Sequence, residues 1–144
     1  MVRISTLIYD IKLIIAFFYD LIISIFFFKS LRLILSNHLT IGLSVLKNKR
    51  VIFPHPVGIV IGKNVVLGYN CTIYQNVTIG TKEVEKYESA KYPTIGNNVV
   101  IFPSSVVFGE ITIGDNCIIG AGSLVNKSFP ANSVIVGNPA IKIN

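Results

Sequence analysis

A six-residue rhythm between Ile61 and Val125 constrains the fold of this 144-residue chain more than any other feature. An aliphatic residue, usually followed by Gly, leads each unit. Such a period, with Gly, Asn and Asp behind the leading residue, suits short parallel strands joined by tight turns. The sequence therefore predicts an all-β fold, a parallel β-helix in which three units make one coil. The units read IGKNVV, LGYNCT, IYQNVT and IG over residues 61–80, then IGNNVV, IFPSSV, VFGEIT, IGDNCI, IGAGSL and VNKSFP over residues 95–130.

The leading residue of each unit is predicted to point inward. Coils of eighteen residues fall at about 61–78, 95–112 and 113–130. Aliphatic side chains at one fixed place of stacked coils bury one another, which is the main favourable term in folding. The predicted core consists of Ile61, Leu67, Ile73, Ile79, Ile95, Ile101, Val107, Ile113, Ile119 and Val125.

The rhythm fails once, between Ile79 and Ile95, which are sixteen residues apart and so not a multiple of six. A loop of about residues 81–94 is predicted to leave the coil here. It concentrates Lys and Glu, and loops on a regular scaffold often carry binding residues. A surface insertion without a function is the alternative.

The repeats divide the chain into two predicted regions. Residues 1–40 form an apolar helical segment, and residues 41–144 form the β-helix domain. Prolines break the rhythm near the end, so residues from about 129 to 144 are predicted to cap the helix and cover its exposed strand edge.

The apolar stretch 7–35 is too often interrupted by charge to predict a simple membrane span, which needs about 20 mostly apolar residues. Two interpretations stay open: helices that pack against a neighbouring subunit, or a helix that lies in the inner-leaflet interface with its basic residues toward anionic head groups. The interrupting residues are Asp10, Lys12, Asp20, Lys29 and Arg32.

Charge and cysteine content narrow the setting. The net charge is +6, but no run of five or six basic residues occurs, so nucleic-acid binding is not predicted. Cys71 and Cys117 are 46 residues apart and are predicted to lie on different sides of the coil, too far apart for a disulfide. Two unpaired thiols without a signal-peptide pattern indicate a cytoplasmic protein.

Several segments together resemble the left-handed β-helix acyltransferases. These are the repeats, FPHPVGIVIG at 53–62, the loop and VGNPA at 136–140. The segment HPVGIVIG resembles the one that holds the catalytic His of serine acetyltransferases, and equally that of the O-acetyltransferases of capsule and lipopolysaccharide assembly. The resemblance covers residues 51–144. It implies a left-handed triangular helix, a homotrimer, active sites between subunits, acetyl-CoA as co-substrate and no metal.

The resemblance selects His55 over His38 as the catalytic residue. An imidazole can take a proton from an acceptor hydroxyl near neutral pH. Six-residue counting from Ile61 points His55 into the core, unless the two flanking prolines shift the register locally. The Asp that orients this His in serine acetyltransferases is replaced by Thr40. The candidates for holding the ring are a backbone carbonyl, or a side chain such as Asn37 or Thr40 from this or a neighbouring subunit. A zinc carbonic anhydrase on the same fold needs three His, and the chain has two.

The acceptor site departs from the family pattern. Serine acetyltransferases carry Arg-His-Pro where this chain has Lys91, Tyr92 and Pro93. Lys cannot grip a carboxylate through two parallel hydrogen bonds as Arg does. Lys91 and Tyr92 are therefore predicted to bind a sugar, and the predicted function is O-acetylation of a surface polysaccharide or its precursor. Serine O-acetylation is the alternative.

The family lays the pantetheine arm of coenzyme A along small residues. Gly109 and Ala121 are predicted to supply that path, and Ala121 matches a family position that contacts the cofactor. Lys127 and Lys142 are predicted to meet the phosphates near the carboxyl end.

Overall fold

The computed structural model describes residues 36–83 and 90–144, in which the chain forms thirteen strands and one helix. Most strands have two or three residues, since turns take up the rest of each hexapeptide. The helix, α1, spans Leu43–Asn48. The strands are β1 (His38–Leu39), β2 (Val60–Ile61), β3 (Val66–Leu67), β4 (Thr72–Ile73), β5 (Thr78–Gly80), β6 (Thr94–Ile95), β7 (Val100–Ile101), β8 (Val106–Phe108), β9 (Thr112–Ile113), β10 (Ile118–Ile119), β11 (Leu124–Val125), β12 (Val134–Gly137) and β13 (Ala140–Lys142).

The strands stack into three faces. Face A contains β1, β2, β5, β8 and β11, face B contains β4, β7, β10, β12 and β13, and face C contains β3, β6 and β9. Each complete coil visits face A, face C and face B in turn. All pairings are parallel except that of β12 with β13. The parallel β-helix predicted from the period is confirmed.

Residues at the same hexapeptide place lie one above another. Ile73, Ile101 and Ile119 on face B are in register. All ten leading residues predicted to point inward are buried, none being more than 3% exposed. Burial of such a side chain contributes roughly 1.5–3 kcal/mol. The core is therefore a column of aliphatic side chains enclosed by the three faces.

The break in the rhythm lies between β5 and β6. Thr78 pairs with Val106, 28 residues on, whereas Val60 pairs with Thr78, 18 residues on. Ten additional residues thus leave the coil between Gly80 and Thr94, and the next coil resumes in the same register.

The two ends of the helix are built differently. In the first coil α1 takes the place of a strand on face C, and its Leu46 is buried against the core. At the other end β13 folds back on β12. The Asn144 side chain fixes this end, since its Oδ1 accepts a hydrogen bond of 2.7 Å from the Val134 N–H.

The two cysteines share one corner of the coil, so the prediction that they lie on different sides is wrong. The ten-residue loop brings Cys71, Val99 and Cys117 into one column, and two coil steps separate the thiols by about 10 Å. Both thiols are buried and unpaired. The turns of this column, which lead from face C to face B, are called the C–B corner and comprise residues 68–71, 96–99, 114–117 and 130–133.

The apolar stretch 7–35, and with it the predicted helical segment and its membrane or subunit contact, lies outside the described residues. Within residues 36–83 and 90–144 no helix is long and apolar enough to cross a membrane.

Candidate functional site

His55 lies in the turn that leads from face B to face A, and it is exposed rather than buried. Ile52 pairs with Thr72, 20 residues on, whereas Val60 pairs with Thr78, 18 residues on. This turn therefore holds two residues more than the turn stacked on it, and six-residue counting fails there. The column of turns from face B to face A is called the B–A corner and comprises residues 54–59, 74–77, 102–105 and 120–123.

The imidazole of His55 stands at the end of a row of rings. Its centroid is 6.4 Å from that of Tyr74, with the planes tilted by 45°. Tyr74 in turn stacks on Phe102 at 5.2 Å and 9°. Aromatic pairs at such separations contribute packing energy and restrict each other's orientation. The hexapeptide pattern does not distinguish Tyr74 or Phe102 from other turn residues, although the 28-residue spacing across the loop brings them into register.

No side chain of the described residues hydrogen-bonds the His55 ring. Thr40, at the family's Asp position, donates its hydroxyl to the Ile61 carbonyl at 2.8 Å instead. Asn37 bonds the backbone of the turn rather than the ring, through Pro56 and Ile59. The part of the chain that the structure describes thus supports the turn and leaves the imidazole nitrogens open to a ligand.

Ala121 lies on the same corner as His55, three coils higher, at a spacing of about 14 Å. Ala121 and Gly122 are exposed, and Gly122 has φ +67°, a left-handed conformation that suits Gly. The turn one coil below Ala121 is fixed by buried Ser105, whose hydroxyl donates to the Phe102 and Gly120 carbonyls at 2.8 and 2.9 Å. The corner above His55 therefore ends in a rigid ledge of small residues.

Gly109 and Lys127 lie on a different corner, the column of turns from face A to face C. Among the described residues this A–C corner comprises 62–65, 81–83, 90–93, 109–111 and 126–128. Gly109 has φ +93°, and a Cβ built on it would come 3.5 Å from the Lys82 side chain. The Lys127 ammonium lies 5.6 Å from the centroid of the Phe129 ring. Lys142 is exposed on β13 of face B.

Lys91 and Tyr92 also belong to the A–C corner. The Lys91 ammonium contacts both carboxylate oxygens of Glu110, at 2.7 and 2.9 Å, and this hydrogen bond raises the pKa of Lys91. Tyr92 is buried at 8% exposure, and its ring packs directly over Gly62. Lys91 is therefore accessible, and its positive charge is partly compensated by the Glu110 carboxylate. Tyr92, in contrast, packs against the coil where the loop rejoins it.

Apart from Lys142 on face B, the predicted site residues thus fall into two groups in one chain. His55 and Ala121 lie on the B–A corner, and Lys91, Gly109 and Lys127 lie on the A–C corner. No group of three or more His, Cys, Asp or Glu side chains suited to a metal occurs among the described residues.

Comparison with known proteins identifies the repeats. Residues 92–127 match the family model described as bacterial transferase hexapeptide (six repeats). A serine acetyltransferase of Staphylococcus aureus is 43% identical over 91 residues, which are 63% of this chain and 42% of that protein. The serine acetyltransferase of Synechococcus elongatus is 40% identical over 89 residues, 62% of this chain and 36% of that protein. The chain therefore spans less than half the length of these curated relatives.

Solved structures give the same likeness. Serine acetyltransferase from Neisseria gonorrhoeae matches with a TM-score of 0.62 and 36% identity, over 65% of this chain and 35% of that one. Soybean serine acetyltransferase complexed with serine gives 0.60 and 35%, and a serine acetyltransferase in complex with CoA gives 0.58 and 29%; each covers 65% of this chain and 37% of that one. The predicted left-handed β-helix of hexapeptide repeats and the predicted resemblance to these acyltransferases are confirmed.

The prediction of a sugar acceptor in polysaccharide assembly is wrong, because the relatives and structural neighbours are serine acetyltransferases. It took Tyr92 as a flat surface for a pyranose ring. In the chain that ring is buried against Gly62, so it offers no such surface.

Proposed function

We propose that the chain transfers an acetyl group from acetyl-CoA to the hydroxyl of serine. The observation that carries the proposal is His55, which a lengthened turn holds on the outside of a β-helix whose relatives are serine acetyltransferases. Both the activity and the substrates are proposed for this chain, since it matches only part of those relatives.

His55 acts as the general base. It takes the proton of the serine hydroxyl as that oxygen attacks the thioester carbonyl carbon, and the C–S bond then breaks. The imidazolium returns the proton to the departing sulfur, which leaves O-acetylserine and coenzyme A. A backbone N–H is the simplest donor for the negative charge that develops on the carbonyl oxygen.

The acetyl donor lies along the B–A corner. The exposed small residues Ala121 and Gly122 let an extended pantetheine arm approach the backbone, and the corner leads directly down to His55. The ammonium groups of Lys127 and Lys142 are proposed to meet the phosphates, as cations do in many nucleotide sites.

Lys91 is proposed to meet the carboxylate of serine. Its ammonium is exposed, so a substrate carboxylate can share it with Glu110 or displace Glu110. A single ammonium gives less directional binding than an Arg would. We therefore expect the KM for serine to depend on Lys91, without the two parallel hydrogen bonds that an Arg would make to the serine carboxylate.

A homotrimer with active sites between protomers is part of the proposal. His55 and Lys91 lie on different corners of one chain, so a site that uses both requires the B–A corner of one protomer to meet the A–C corner of the next. Closed rotational symmetry would repeat this contact at every interface. The reaction is proposed to take place in the cytoplasm.

The direct test incubates the full chain with acetyl-CoA, with and without serine. Release of coenzyme A thiol and formation of O-acetylserine are followed by absorbance and mass spectrometry. Thiol release is expected to depend on serine, and His55→Ala is expected to lower kcat about a hundredfold or more. His38→Gln is the matched control, since it removes the other imidazole of the chain and is expected to leave kcat unchanged.

The proposal fails if serine does not accelerate thiol release, or if His55→Ala keeps the wild-type rate while remaining folded. Circular dichroism melting curves of both variants show whether a lower rate is caused by unfolding. A loss of rate with an unchanged melting temperature assigns the effect to the imidazole.

A further inference from the structure

The turn that carries His55 has few backbone N–H groups available for hydrogen bonds to the neighbouring coils. Pro54 and Pro56 flank the His and have no backbone N–H to donate. The turn is also two residues longer than the turn above it, so some of its backbone has no stacked partner in the next coil. Its own internal bond, from the Val57 N–H to the His55 carbonyl at 2.8 Å, does not tie it to the scaffold.

Two backbone bonds tie the later part of the turn to its neighbours, from the Asn76 N–H to the Val57 carbonyl and from the Gly58 N–H to the Ser36 carbonyl, both 2.9 Å. The Asn37 side chain adds two further ties from the coil below. Its Nδ2 donates to the Pro56 carbonyl at 2.9 Å, and its Oδ1 accepts from the Ile59 N–H at 2.8 Å. One planar amide thus holds the turn on both sides of Val57 and Gly58. The Pro56 carbonyl belongs to the residue directly after His55, so the amide fixes the chain close to the imidazole.

These two bonds require an amide. The neighbouring backbone bonds, from Gly58 N–H to the Ser36 carbonyl and from His38 N–H to the Ile59 carbonyl, both 2.9 Å, would form with any residue at position 37. A carboxylate accepts only and cannot donate to Pro56, and a methyl group does neither. The sequence therefore has an Asn where a donor and an acceptor are needed within one side chain.

We propose that Asn37 is a positioning residue for His55: its amide holds the lengthened turn so that the imidazole stays against Tyr74 and faces the acceptor. The role rests on the proposed function of His55. In the family an Asp orients the imidazole directly, and Thr40 at the position of that Asp does not do so here. We assign the orienting role instead to Asn37, which acts through the backbone of the turn.

The kinetic test compares Asn37→Ala and Asn37→Asp with wild type. Small misplacements of a catalytic group cost about tenfold to a hundredfold in rate. We expect kcat to fall by this amount in both variants, while KM for acetyl-CoA stays within twofold, since Asn37 does not line the ledge at Ala121. Asn37→Asp also serves as the second variant should Asn37→Ala fold poorly, because it keeps the acceptor for the Ile59 N–H.

Thr40→Val is the matched control. The Thr40 hydroxyl makes a bond of 2.8 Å from the same coil to the carbonyl of Ile61, beyond the His55 turn. Its removal should leave kcat within twofold of wild type. An equal loss in Thr40→Val and Asn37→Ala would assign the effect to general loosening of the first coil and overturn the proposal.

A spectroscopic readout separates this inference from the proposed function. The chain has two His, so the ring resonances of His55 are assigned by their persistence in His38→Gln. In Asn37→Ala the ring-current shift from Tyr74 is expected to shrink as the imidazole moves away.

Unchanged His55 resonances in folded Asn37→Ala would overturn the clamp whether or not the chain acetylates serine. An active wild type with an inactive His55→Ala and a fully active Asn37→Ala would leave the function standing and remove Asn37 from it.

Discussion

Cys71 shows how a β-helix uses a polarizable side chain as core material. It is fully buried, and its Sγ lies 3.2 Å from the carbonyl oxygen of Gly96 one coil above. Burial raises the pKa of the Cys71 thiol above 9.0, because a thiolate would lose its hydration there. Such a thiol is a poor nucleophile, which argues against covalent catalysis through Cys71.

The raised pKa makes a prediction about stability. Between 9.0 and the higher folded pKa, the folded chain keeps a proton at Cys71 that the unfolded chain releases, so this contribution to stability is present below pH 9.0 and is lost as the pH rises. Cys71→Ala removes the titrating group. From pH 8 to about 10, the free energy of unfolding of wild type should therefore fall relative to that of Cys71→Ala, so that the difference between the two narrows in urea titrations. A difference that stays constant over this range would contradict the prediction.

At the residue scale the sequence predicted which side chains are core but not where His55 points. The inward residues follow from one repeated place, so a count suffices. The position of His55 depends on two extra residues in one turn, and no six-residue count registers them. The burial of Tyr92 could not be predicted for a related reason: a residue outside the hexapeptides has no fixed inward or outward place, and the Tyr92 ring packs onto Gly62.

The corners are the elements that set how closely coils stack. In the C–B corner the backbone of the coil above comes close to Gly96, and a Cβ there would be 2.7 Å from the Asp115 nitrogen. Two places later Asn98 and Asn116 adopt φ +55° and +57°, and the amide of Asn98 donates to that of Asn116 at 3.1 Å. Gly followed by Asn is therefore a steric and hydrogen-bonding requirement of this corner.

Gly96→Ala and Gly80→Ala form a matched pair that tests this requirement. At Gly96 the added methyl meets backbone of the next coil, which cannot move without disturbing the stack. At Gly80 the same methyl meets nothing within 4 Å. Gly96→Ala should lower the free energy of unfolding by about 1–3 kcal/mol, as overpacking does. Gly80→Ala should change it by about 0.5 kcal/mol or less, the usual range for a substitution without new contacts. Equal effects in chemical denaturation would show that coil spacing does not depend on this corner.

The elements were predictable to different degrees. Strands and faces follow from the period, and the loop follows from its failure. The effect of the loop on the register of the coils did not follow from the sequence. Placing Cys71 and Cys117 in one column requires knowing that ten residues leave the coil and that the next coil resumes in the same register. The α1 helix was not foreseen either, since Leu43–Asn48 shows no hexapeptide and is too short for a helical period.

At the scale of the molecule, one chain carries the two halves of the proposed site on separate corners. The catalytic half consists of the His55 turn with its Tyr74 and Asn37 supports, and the acceptor half is the foot of the loop at Lys91. In a threefold assembly each interface would join one half from each of two neighbours. Such a trimer should have three times the chain mass of 15.8 kDa in light scattering.

Subunit mixing tests whether the halves come from different chains. His55→Ala lacks the base, and Lys91→Met lacks the cation for serine, so each alone should be nearly inactive at low serine concentration. If an interface takes His55 from one protomer and Lys91 from the next, random mixed trimers contain interfaces with both native residues at about one site in four. Co-refolding equal amounts should then restore about a quarter of the wild-type rate, and mixing folded homotrimers without exchange is the control. A site confined to one protomer would have one defect in every chain, so the co-refolded mixture would stay as inactive as its components. Restored activity would therefore mean that the separation of the two corners in the single chain is what makes the assembly necessary for catalysis.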